Sequence, residues 1–236
     1  VGVICSEIRK IDPSIIFKFS GVFIPNENYV DLFFGEESHR EEFGMYNSFG
    51  QCMWQNYLIF PVYDVNDRIA GLVGYNPIKH LEAEETSNYL INHYSYSLKR
   101  VFRKGDYLFC LKGTFMQAYR SGYLVIVDGV FDAISLAEAG FLAAALLGST
   151  ISDVVAAQLR LIDRIIVATD NDDAGLELYR KLKRIHKNAV FVKQGIKKDA
   201  DDVLKTEYRD QYLAMLREAI DSSIPLNYSM GRLHLF

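Results

Sequence analysis

The fold class is decided by the stretch YLVIVDGVFDAISLAEAG, residues 123–140. Its first five residues form a compact apolar run rich in β-branched side chains, which is typical of a strand buried on both faces. Asp128 and Gly129 interrupt the run, and apolar side chains then recur at helical spacing from 131 to 139, ending at Gly140. The stretch therefore predicts a buried strand that leads through a short polar turn into a helix.

The same alternation continues downstream. Three further apolar runs predict strands, at residues 142–147, 164–169 and 189–192. Helical patterns lie between and after them, at residues 151–162, 174–186 and 207–221. The first of these helices is expected to begin with a cap at Ser149 or Thr150. Strands that alternate with helices of this length require right-handed crossovers, so we predict a parallel sheet.

The first half of the chain has a mixed pattern. Residues 57–63 and 69–75 are typical of two strands, and the polar turn between them predicts a hairpin. A short helix is expected near residues 6–11, and residues 81–100 have the composition of a loop with short helices. The chain is therefore predicted to comprise a mixed N-terminal subdomain, an α/β domain and a short helical tail, at residues 1–120, 121–205 and 206–236.

Composition excludes several classes of protein. A net charge of −4 argues against bulk coating of DNA, which needs a broad basic surface. The three cysteines lie far apart without a C-x-x-C pair, so we expect neither a disulfide framework nor a zinc ribbon in this chain, and an intracellular location. No apolar run reaches the roughly 20 residues of a transmembrane helix. The chain starts at Val1 instead of a methionine, and the sequence leaves open whether it is a fragment.

Carboxylates follow three of the predicted strands. They are Asp128 after the first, Asp170 and Asp172 after the strand at 164–169, and Asp199, Asp201 and Asp202 after the last. In a parallel sheet these strand ends meet at one edge, where ligands bind. Such crowding is unfavourable unless cations neutralise it, and hard divalent ions, above all Mg²⁺, suit oxygen ligands. The alternative also stands, that each D-x-D is a solvated turn or helix cap and that Asp132 only caps or solvates its helix.

Four ordered motifs resemble the Toprim domain, which bacterial primases share with type IA and II topoisomerases and some nucleases and recombination proteins. They are VDGVFD (127–132), ALLGST (145–150), ATDNDDAG (168–175) and KDADDVL (198–204). The resemblance implies that the metal ligands are Asp128, Asp170, Asp172, Asp199 and Asp201, the first three being catalytic. It also implies that Gly129 and Gly175 let the backbone approach metals and phosphates. The family usually has glutamate in place of Asp128, which implies a metal closer to the strand and weaker activity or a different metal preference.

A second resemblance narrows the family to DnaG-type bacterial and phage primases. The segments LIFPVYDVNDRIAGLVGY (58–75) and FRKGDYLFCL (102–111) are similar to primase segments that topoisomerases lack. The chain departs from the pattern at Tyr75 and Asn76, where the family often has arginine, and in the single helix after the Toprim part. The fold implied is α/β, a Toprim domain with a parallel sheet flanked by helices, preceded by a mixed α+β primase-core subdomain.

The primase resemblance implies synthesis of short RNA primers on single-stranded DNA from nucleoside triphosphates, by nucleotidyl transfer dependent on Mg²⁺ or Mn²⁺. Contacts to nucleotide or DNA are expected from Arg68, Lys99, Arg100, Arg103, Lys104, Lys112 and Lys198, although runs of Lys and Arg are more often solvated faces. Further partners implied are a replicative helicase and a zinc-binding domain outside this chain. The implied location is the cytoplasm of a bacterial cell or a phage-infected host, with no membrane contact.

Two alternatives remain open at this point. One is a Toprim nuclease that uses the same metals, and the other is a module that binds nucleic acid or nucleotide without catalysis. Asp128 in place of glutamate keeps the second alternative open. Two further side chains are assigned structural roles, Trp54 in the core and His186 at the surface.

Overall fold

The computed structural model describes residues 10–34, 44–47, 49–77, 93–94, 102–148, 150–193 and 199–222. The chain divides into two compact units, Val1–Lys104 and Gly105–Phe236. Most of the predicted helix near residues 6–11 and most of the predicted loop at 81–100 lie outside the described residues, and residues 10 and 11, which are described, are not helical. Among the described residues, no helix combines the length and apolar character that crossing a membrane requires. The three-part division with boundaries at 120 and 205 stays a prediction.

The first unit contains a four-stranded antiparallel sheet with the strand order β1-β2-β3-β4. Its elements are α1 (Pro13–Lys18), β1 (Val22–Ile24), α2 (Asn28–Phe34), β2 (Tyr57–Tyr63), β3 (Ile69–Tyr75) and β4 (His93–Tyr94). The predicted hairpin is confirmed, with the same strand bounds. Its turn is closed by the Asp64 side chain, which accepts the backbone N–H groups of Asn66 and Arg68 at 2.8 and 3.0 Å.

Trp54 lies at the centre of the first unit's core. Its side chain is fully buried and packs edge-on against Tyr57, with the ring centroids 5.8 Å apart. The indole N–H donates to the carbonyl oxygen of Gly44 at 3.1 Å, so the one polar atom of the ring has a partner. The prediction that Trp54 is a core residue is therefore confirmed.

The second unit contains a five-stranded sheet with the strand order β5-β7-β6-β8-β9. Its strands are β5 (Leu108–Cys110), β6 (Tyr123–Val127), β7 (Ala143–Leu146), β8 (Arg164–Val167) and β9 (Ala189–Phe191). Its helices are α3 (Thr114–Ser121), α4 (Val130–Glu138), α5 (Asp153–Leu159), α6 (Asp173–Ile185), α7 (Ala200–Val203) and α8 (Arg209–Asp221). The predicted parallel sheet is confirmed for β6 to β9, and β5 adds an antiparallel edge strand that the sequence patterns did not indicate.

Helix α5 begins later than predicted. Its N-cap is Ser152, whose side-chain oxygen accepts the backbone N–H of Val155 at 3.3 Å. The predicted cap at Thr150 is therefore wrong, because Ser152 is the residue that is extended and three positions before a free helical N–H. The other predicted cap, Ser149, lies outside the described residues.

Strand β6 fixes the position of the acidic sequence motifs. Strand β7 pairs with one side of β6 and β8 with the other, so the direction in which strands are added switches at β6. In open α/β sheets such a switch point opens a crevice at the carboxyl ends of the strands. Val127 and Val167 are fully buried, and the N–H of Ala168 donates to Ile126 at 2.8 Å. The residues that follow β6 and β8 are therefore held side by side.

The loop after β8 folds back tightly onto the start of helix α6. The hydroxyl of Thr169 donates to the carbonyl of Gly175 at 3.0 Å, and the N–H of Gly175 donates to Oδ1 of Asp172 at 2.9 Å. A Cβ added to Gly175 would collide with the backbone carbonyl oxygen of Asp170. This close approach requires glycine and sets the course of the D-x-D segment.

Replacing Gly175 with alanine is expected to destabilise the protein. Glycine to alanine inside a helix ordinarily stabilises by about 0.5–1 kcal/mol. Here the added methyl group overpacks against the Asp170 backbone, which costs about 1–3 kcal/mol. The free energy of unfolding in urea should therefore fall in Gly175→Ala. The matched change Ala174→Gly, at an exposed site of the same turn, should cost only the helix propensity of about 1 kcal/mol. An unchanged or raised stability of Gly175→Ala would contradict the close packing of this loop.

Candidate metal centre

Three carboxylates converge at the carboxyl ends of β6 and β8. Asp128 follows β6 directly, Asp132 lies in the first turn of α4, and Asp170 lies in the loop after β8. Each offers one oxygen atom, and the three oxygens lie within 4.8 Å of one another. Asp128 and Asp170 were predicted to meet here, whereas Asp132 was not among the predicted ligands.

The Asp128 side chain forms a hydrogen bond that links the ends of β6 and β8. Its Oδ2 accepts the backbone N–H of Asp170 at 3.3 Å. The pKa of Asp128 is raised, mainly because burial disfavours its charge, while the Asp170 N–H opposes this effect. The negative charges of Asp172 and Asp199 raise the pKa further, so these two residues act on the centre through the electric field.

Asp132 is the functional candidate that sequence reasoning missed. Its side chain is buried, with 7% exposure, so the expectation that it only caps or solvates its helix is wrong. Its Oδ1 accepts the backbone N–H of Asp201 at 2.7 Å. Its Oδ2 lies so close to Gly129 that a Cβ there would collide with it. The signal that could have found it is the four-residue spacing from Asp128, since the first turn of a helix after a strand carries such a residue back to the strand end.

Asp172 and Asp199 are both helix caps. Oδ1 of Asp172 accepts the N–H of Gly175 at the start of α6, and Oδ1 of Asp199 accepts the N–H of Asp202 at 2.8 Å at the start of α7. Neither is part of the group of three carboxylates. Burial raises the pKa of Asp199, and nearby carboxylates, Asp170 among them, add to this rise.

Asp201 is engaged by two side chains. Its Oδ1 accepts the hydroxyl of Ser135 at 2.6 Å, and its Oδ2 accepts the ammonium of Lys205 at 2.6 Å. The Asp201 side chain is 8% exposed and that of Lys205 is 22% exposed, so this ion pair is largely shielded from water. Asp201 therefore contacts the centre through its backbone N–H, which donates to Asp132.

The electrostatics of this cluster fit a divalent cation. Burial raises the pKa of Asp132 well above the ordinary value, and the negative charge of Asp199 adds to the effect. The folded chain thus holds several carboxylates where their charge is unfavourable, and the group of three offers oxygen donors alone. Oxygen donors of this kind are those that Mg²⁺ and similar hard ions prefer. The residues present therefore fit such an ion.

The predicted nucleic-acid contacts are spread over both described and undescribed segments. Arg68 lies at the end of the hairpin turn with its Nε 3.3 Å from Oδ2 of Asp64, and its side chain is 75% exposed. Arg103, Lys104 and Lys112 are also exposed. Lys99, Arg100 and Lys198 lie outside the described residues. Exposed basic side chains suit either a phosphate contact or a solvated face, so their role in binding stays a prediction.

His186 is buried, contrary to the expected surface position. Its exposure is 7%, and its Nε2 lies 2.7 Å from the carbonyl oxygen of Ile162. The side chain is buried because α6 ends beside the segment that leads into β8. The imidazole forms a hydrogen bond with the Ile162 carbonyl in that segment. His186 therefore has a structural role near the start of β8, whereas the acidic cluster follows the other end of that strand.

Known proteins resemble this chain in sequence and in fold. Residues 125–204 match the family model described as Toprim-like. The DNA primase of Rickettsia prowazekii is 25% identical over 236 residues, which covers 91% of this chain and 38% of that protein. The chain thus spans less than half the length of this curated relative.

Solved structures share the fold. The zinc-binding and RNA polymerase domains of the Aquifex aeolicus primase align with a TM-score of 0.72 and 22% identity, over 97% of this chain and 58% of that one. A DnaG primase catalytic domain bound to single-stranded DNA aligns with a TM-score of 0.66 and 20% identity, over 97% of this chain and 76% of that one. The resemblance to the Toprim catalytic core of DnaG-type primases is therefore confirmed in sequence and in fold.

Proposed function

We propose that this chain is the RNA-polymerase core of a DNA primase, which joins nucleoside triphosphates into short RNA on a single-stranded DNA template. The observation that carries the proposal is the group of three carboxylates, Asp128, Asp132 and Asp170, at the switch point of a sheet with the DnaG core fold. The curated relatives that match the chain are named DNA primases, which supports a nucleotidyltransferase over a nuclease. A nuclease and a binding module without catalysis remain the outcomes against which the proposal is tested.

The proposed cofactor is Mg²⁺ or Mn²⁺, held by Asp128, Asp132 and Asp170. A cation bound there supplies positive charge that neutralises the triphosphate and the pyrophosphate leaving group. The protein's contribution is placement, because the buried strands β6 and β8 fix two of the three carboxylates relative to each other. Of the other predicted ligands, Asp172 and Asp199 would raise the negative potential of the site from their helix caps.

Glycine residues beside the carboxylates allow the backbone to pack closely around the proposed site. Gly129 has no side chain between Asp128 and the helix that carries Asp132, and Gly175 lies directly against the Asp170 backbone. At both positions an added Cβ would collide with neighbouring atoms of the protein, so the packing around the carboxylates requires glycine. The proposed catalytic residues are accordingly Asp128 and Asp170, with Asp172 shaping the loop between them and α6.

The proposed partners are single-stranded DNA, nucleoside triphosphates, a replicative helicase and a zinc-binding domain on another part of the protein. Support for DNA comes from the structural relative that was solved with single-stranded DNA bound. Support for a zinc-binding domain comes from the Aquifex aeolicus relative, whose structure includes one. Exposed Arg68, Arg103, Lys104 and Lys112 are the proposed contacts among the described residues. The proposed location is the cytoplasm of a bacterial or phage-infected cell.

Primer synthesis is the direct test of this function. The chain, incubated with single-stranded DNA, labelled ribonucleoside triphosphates and Mg²⁺ or Mn²⁺, should produce short RNA. Asp170→Asn should reduce the rate roughly 100-fold or more, as expected when a preorganised electrostatic group is lost. The matched control Asp210→Asn, at an exposed carboxylate of α8, should retain the rate. Cleavage of the DNA without RNA would favour a nuclease, and metal binding without either product would favour a module that lacks catalysis.

Metal affinity is expected to depend more strongly on Asp132 than on the helix cap Asp172. Asp132→Asn should weaken Mn²⁺ binding at least tenfold in calorimetric titration, because the variant loses a charged oxygen from the group of three. Asp172→Asn should weaken binding less, because its contribution is a field from outside that group. Equal losses in the two variants would contradict the assignment of the centre to Asp128, Asp132 and Asp170.

The raised pKa values predict how the stability of the metal-free protein depends on pH. A carboxyl whose pKa is higher in the folded chain binds its proton more tightly there, so its stabilising contribution is complete below the ordinary aspartate pKa of about 3.9 and is lost as pH rises through the folded pKa. Asn has no carboxyl group to titrate, so Asp132→Asn does not lose stability through this group as the pH rises. In urea unfolding with EDTA, the variant should be more stable than the unmodified chain at pH 7, and the difference should shrink as pH falls. A variant that is less stable at pH 7 would contradict the burial of an unfavourable charge at Asp132.

A further inference from the structure

A buried chain of hydrogen bonds links helices α4 and α7 beside the carboxylates. Ser135 of α4 donates to Oδ1 of Asp201, and Lys205, just beyond α7, donates to Oδ2, both at 2.6 Å. The backbone N–H of Asp201 in turn donates to Oδ1 of Asp132 at 2.7 Å. Ser135 and Lys205 thus lie outside the group of three carboxylates, and both are connected to Asp132 through Asp201.

We propose that Ser135 and Lys205 are positioning residues which, acting through Asp201, hold the Asp132 carboxylate in place for the metal ion. The inference rests on the metal centre of the proposed function and deepens it. It assigns Asp201 a different role from the ligand that the motif implies, since both oxygens of its carboxylate accept hydrogen bonds from Ser135 and Lys205.

Helix α7 depends on these contacts for its position. It has four residues, too few to be stable by its own hydrogen bonds. Ala200 and Val203 are buried and attach it to the unit, while Asp201 is the residue that bonds it to α4. The contacts of the Asp201 side chain therefore determine the direction of its backbone N–H. This N–H is the donor that Asp132 accepts.

Lys205 also makes it possible for Asp201 to be buried with its charge. A carboxylate on a side chain with 8% exposure is unfavourable unless it is paired and hydrogen-bonded, and Lys205 and Ser135 satisfy both requirements. Without the ammonium group, the Asp201 side chain would lose one of its two hydrogen-bond partners and turn toward water. Such a turn alters α7 at the N–H that Asp132 accepts.

The orientation of Asp132 matters because its two oxygens have different surroundings. Oδ1 is used by the Asp201 N–H, and Oδ2 lies against Gly129, the residue that follows Asp128. Rotation of the carboxylate would bring it away from the arrangement in which the three oxygens lie within 4.8 Å of one another. Outer contacts of this kind commonly change metal affinity by 10–100-fold.

The positioning role and a simple charge effect predict opposite results. If Asp201 were a ligand and Lys205 only a competing cation, removal of the lysine charge would tighten the binding of a divalent ion. If Lys205 positions Asp132 through Asp201, the same substitution weakens binding although the site becomes more negative. The sign of the change therefore decides between the two roles.

The experiment measures Mn²⁺ affinity by calorimetry for the unmodified chain, Lys205→Met, Ser135→Ala and Lys205→Arg. We expect about tenfold weaker binding for Lys205→Met and for Ser135→Ala, which leaves the charge unchanged, and recovery of most of the affinity in Lys205→Arg. Lys187→Met, at an exposed lysine after α6, is the matched control and should bind Mn²⁺ as the unmodified chain does. In a double-mutant cycle, Asp201→Asn and Lys205→Met should not be additive, because they interrupt the same path.

Folding is checked by circular dichroism in EDTA, and primer synthesis by the unmodified chain is measured in parallel. Should Lys205→Met fail to fold, Ser135→Ala decides, since loss of one hydroxyl is the milder change. Tighter binding by Lys205→Met, or unchanged affinity of folded Ser135→Ala, would overturn the positioning role while leaving primer synthesis intact. Weaker Mn²⁺ binding by both Lys205→Met and Ser135→Ala would support the positioning role, whether or not the unmodified chain makes RNA. Failure of the unmodified chain to bind Mn²⁺ would overturn both this inference and the proposed metal centre.

Discussion

The pairing of β6 with β8 is the constraint on which the acidic centre depends. These neighbouring parallel strands are buried from Leu124 to Val127 and from Arg164 to Val167, so the residues that follow them are held close together. The fold thereby brings Asp128 and Asp170 close enough for the N–H of one to reach the carboxylate of the other at 3.3 Å. Burial raises the pKa of Asp128, which means that the packing of the strands opposes the charges it brings together. A divalent cation would offset these charges, so the site is electrostatically suited to such an ion.

Backbone N–H groups are the second feature that makes the cluster possible. Asp128 accepts the N–H of Asp170, and Asp132 accepts that of Asp201. The two cap residues follow the same rule, Asp172 with Gly175 and Asp199 with Asp202. Each of these carboxylates is thus oriented by a donor that carries no net charge. Neutral donors fix the geometry while leaving the negative potential of the site almost intact, whereas a lysine in each place would have neutralised it. The exception is Asp201, whose partner Lys205 lies on the side of α7 that anchors the helix.

Sequence patterns predicted the features that depend on continuous burial and missed those that depend on tertiary contacts. The bounds of β6 and of the β2–β3 hairpin were correct because a run of apolar residues or a polar turn defines each of them locally. Asp132 was missed because its four-residue spacing from Asp128 does not by itself show its burial, to which α7 contributes an N–H from a residue 69 positions away. The antiparallel strand β5 was missed for a similar reason, since three residues carry too short a pattern and its order comes from pairing with β7. The burial of His186 likewise depends on the carbonyl of Ile162 and not on its own neighbours.

The aspartate at position 128 is consistent with this arrangement of the centre. The related family usually has glutamate there, whose carboxylate would lie one methylene farther from the end of β6. The shorter side chain lets the carboxylate accept the N–H of Asp170, the third residue after the neighbouring strand β8. It also keeps the carboxylate within reach of Asp132, whose own position is limited by Gly129 and by the N–H of Asp201. The three oxygens therefore lie close together beside the end of β6, and the absence of a side chain at Gly129 leaves the space that Oδ2 of Asp132 occupies.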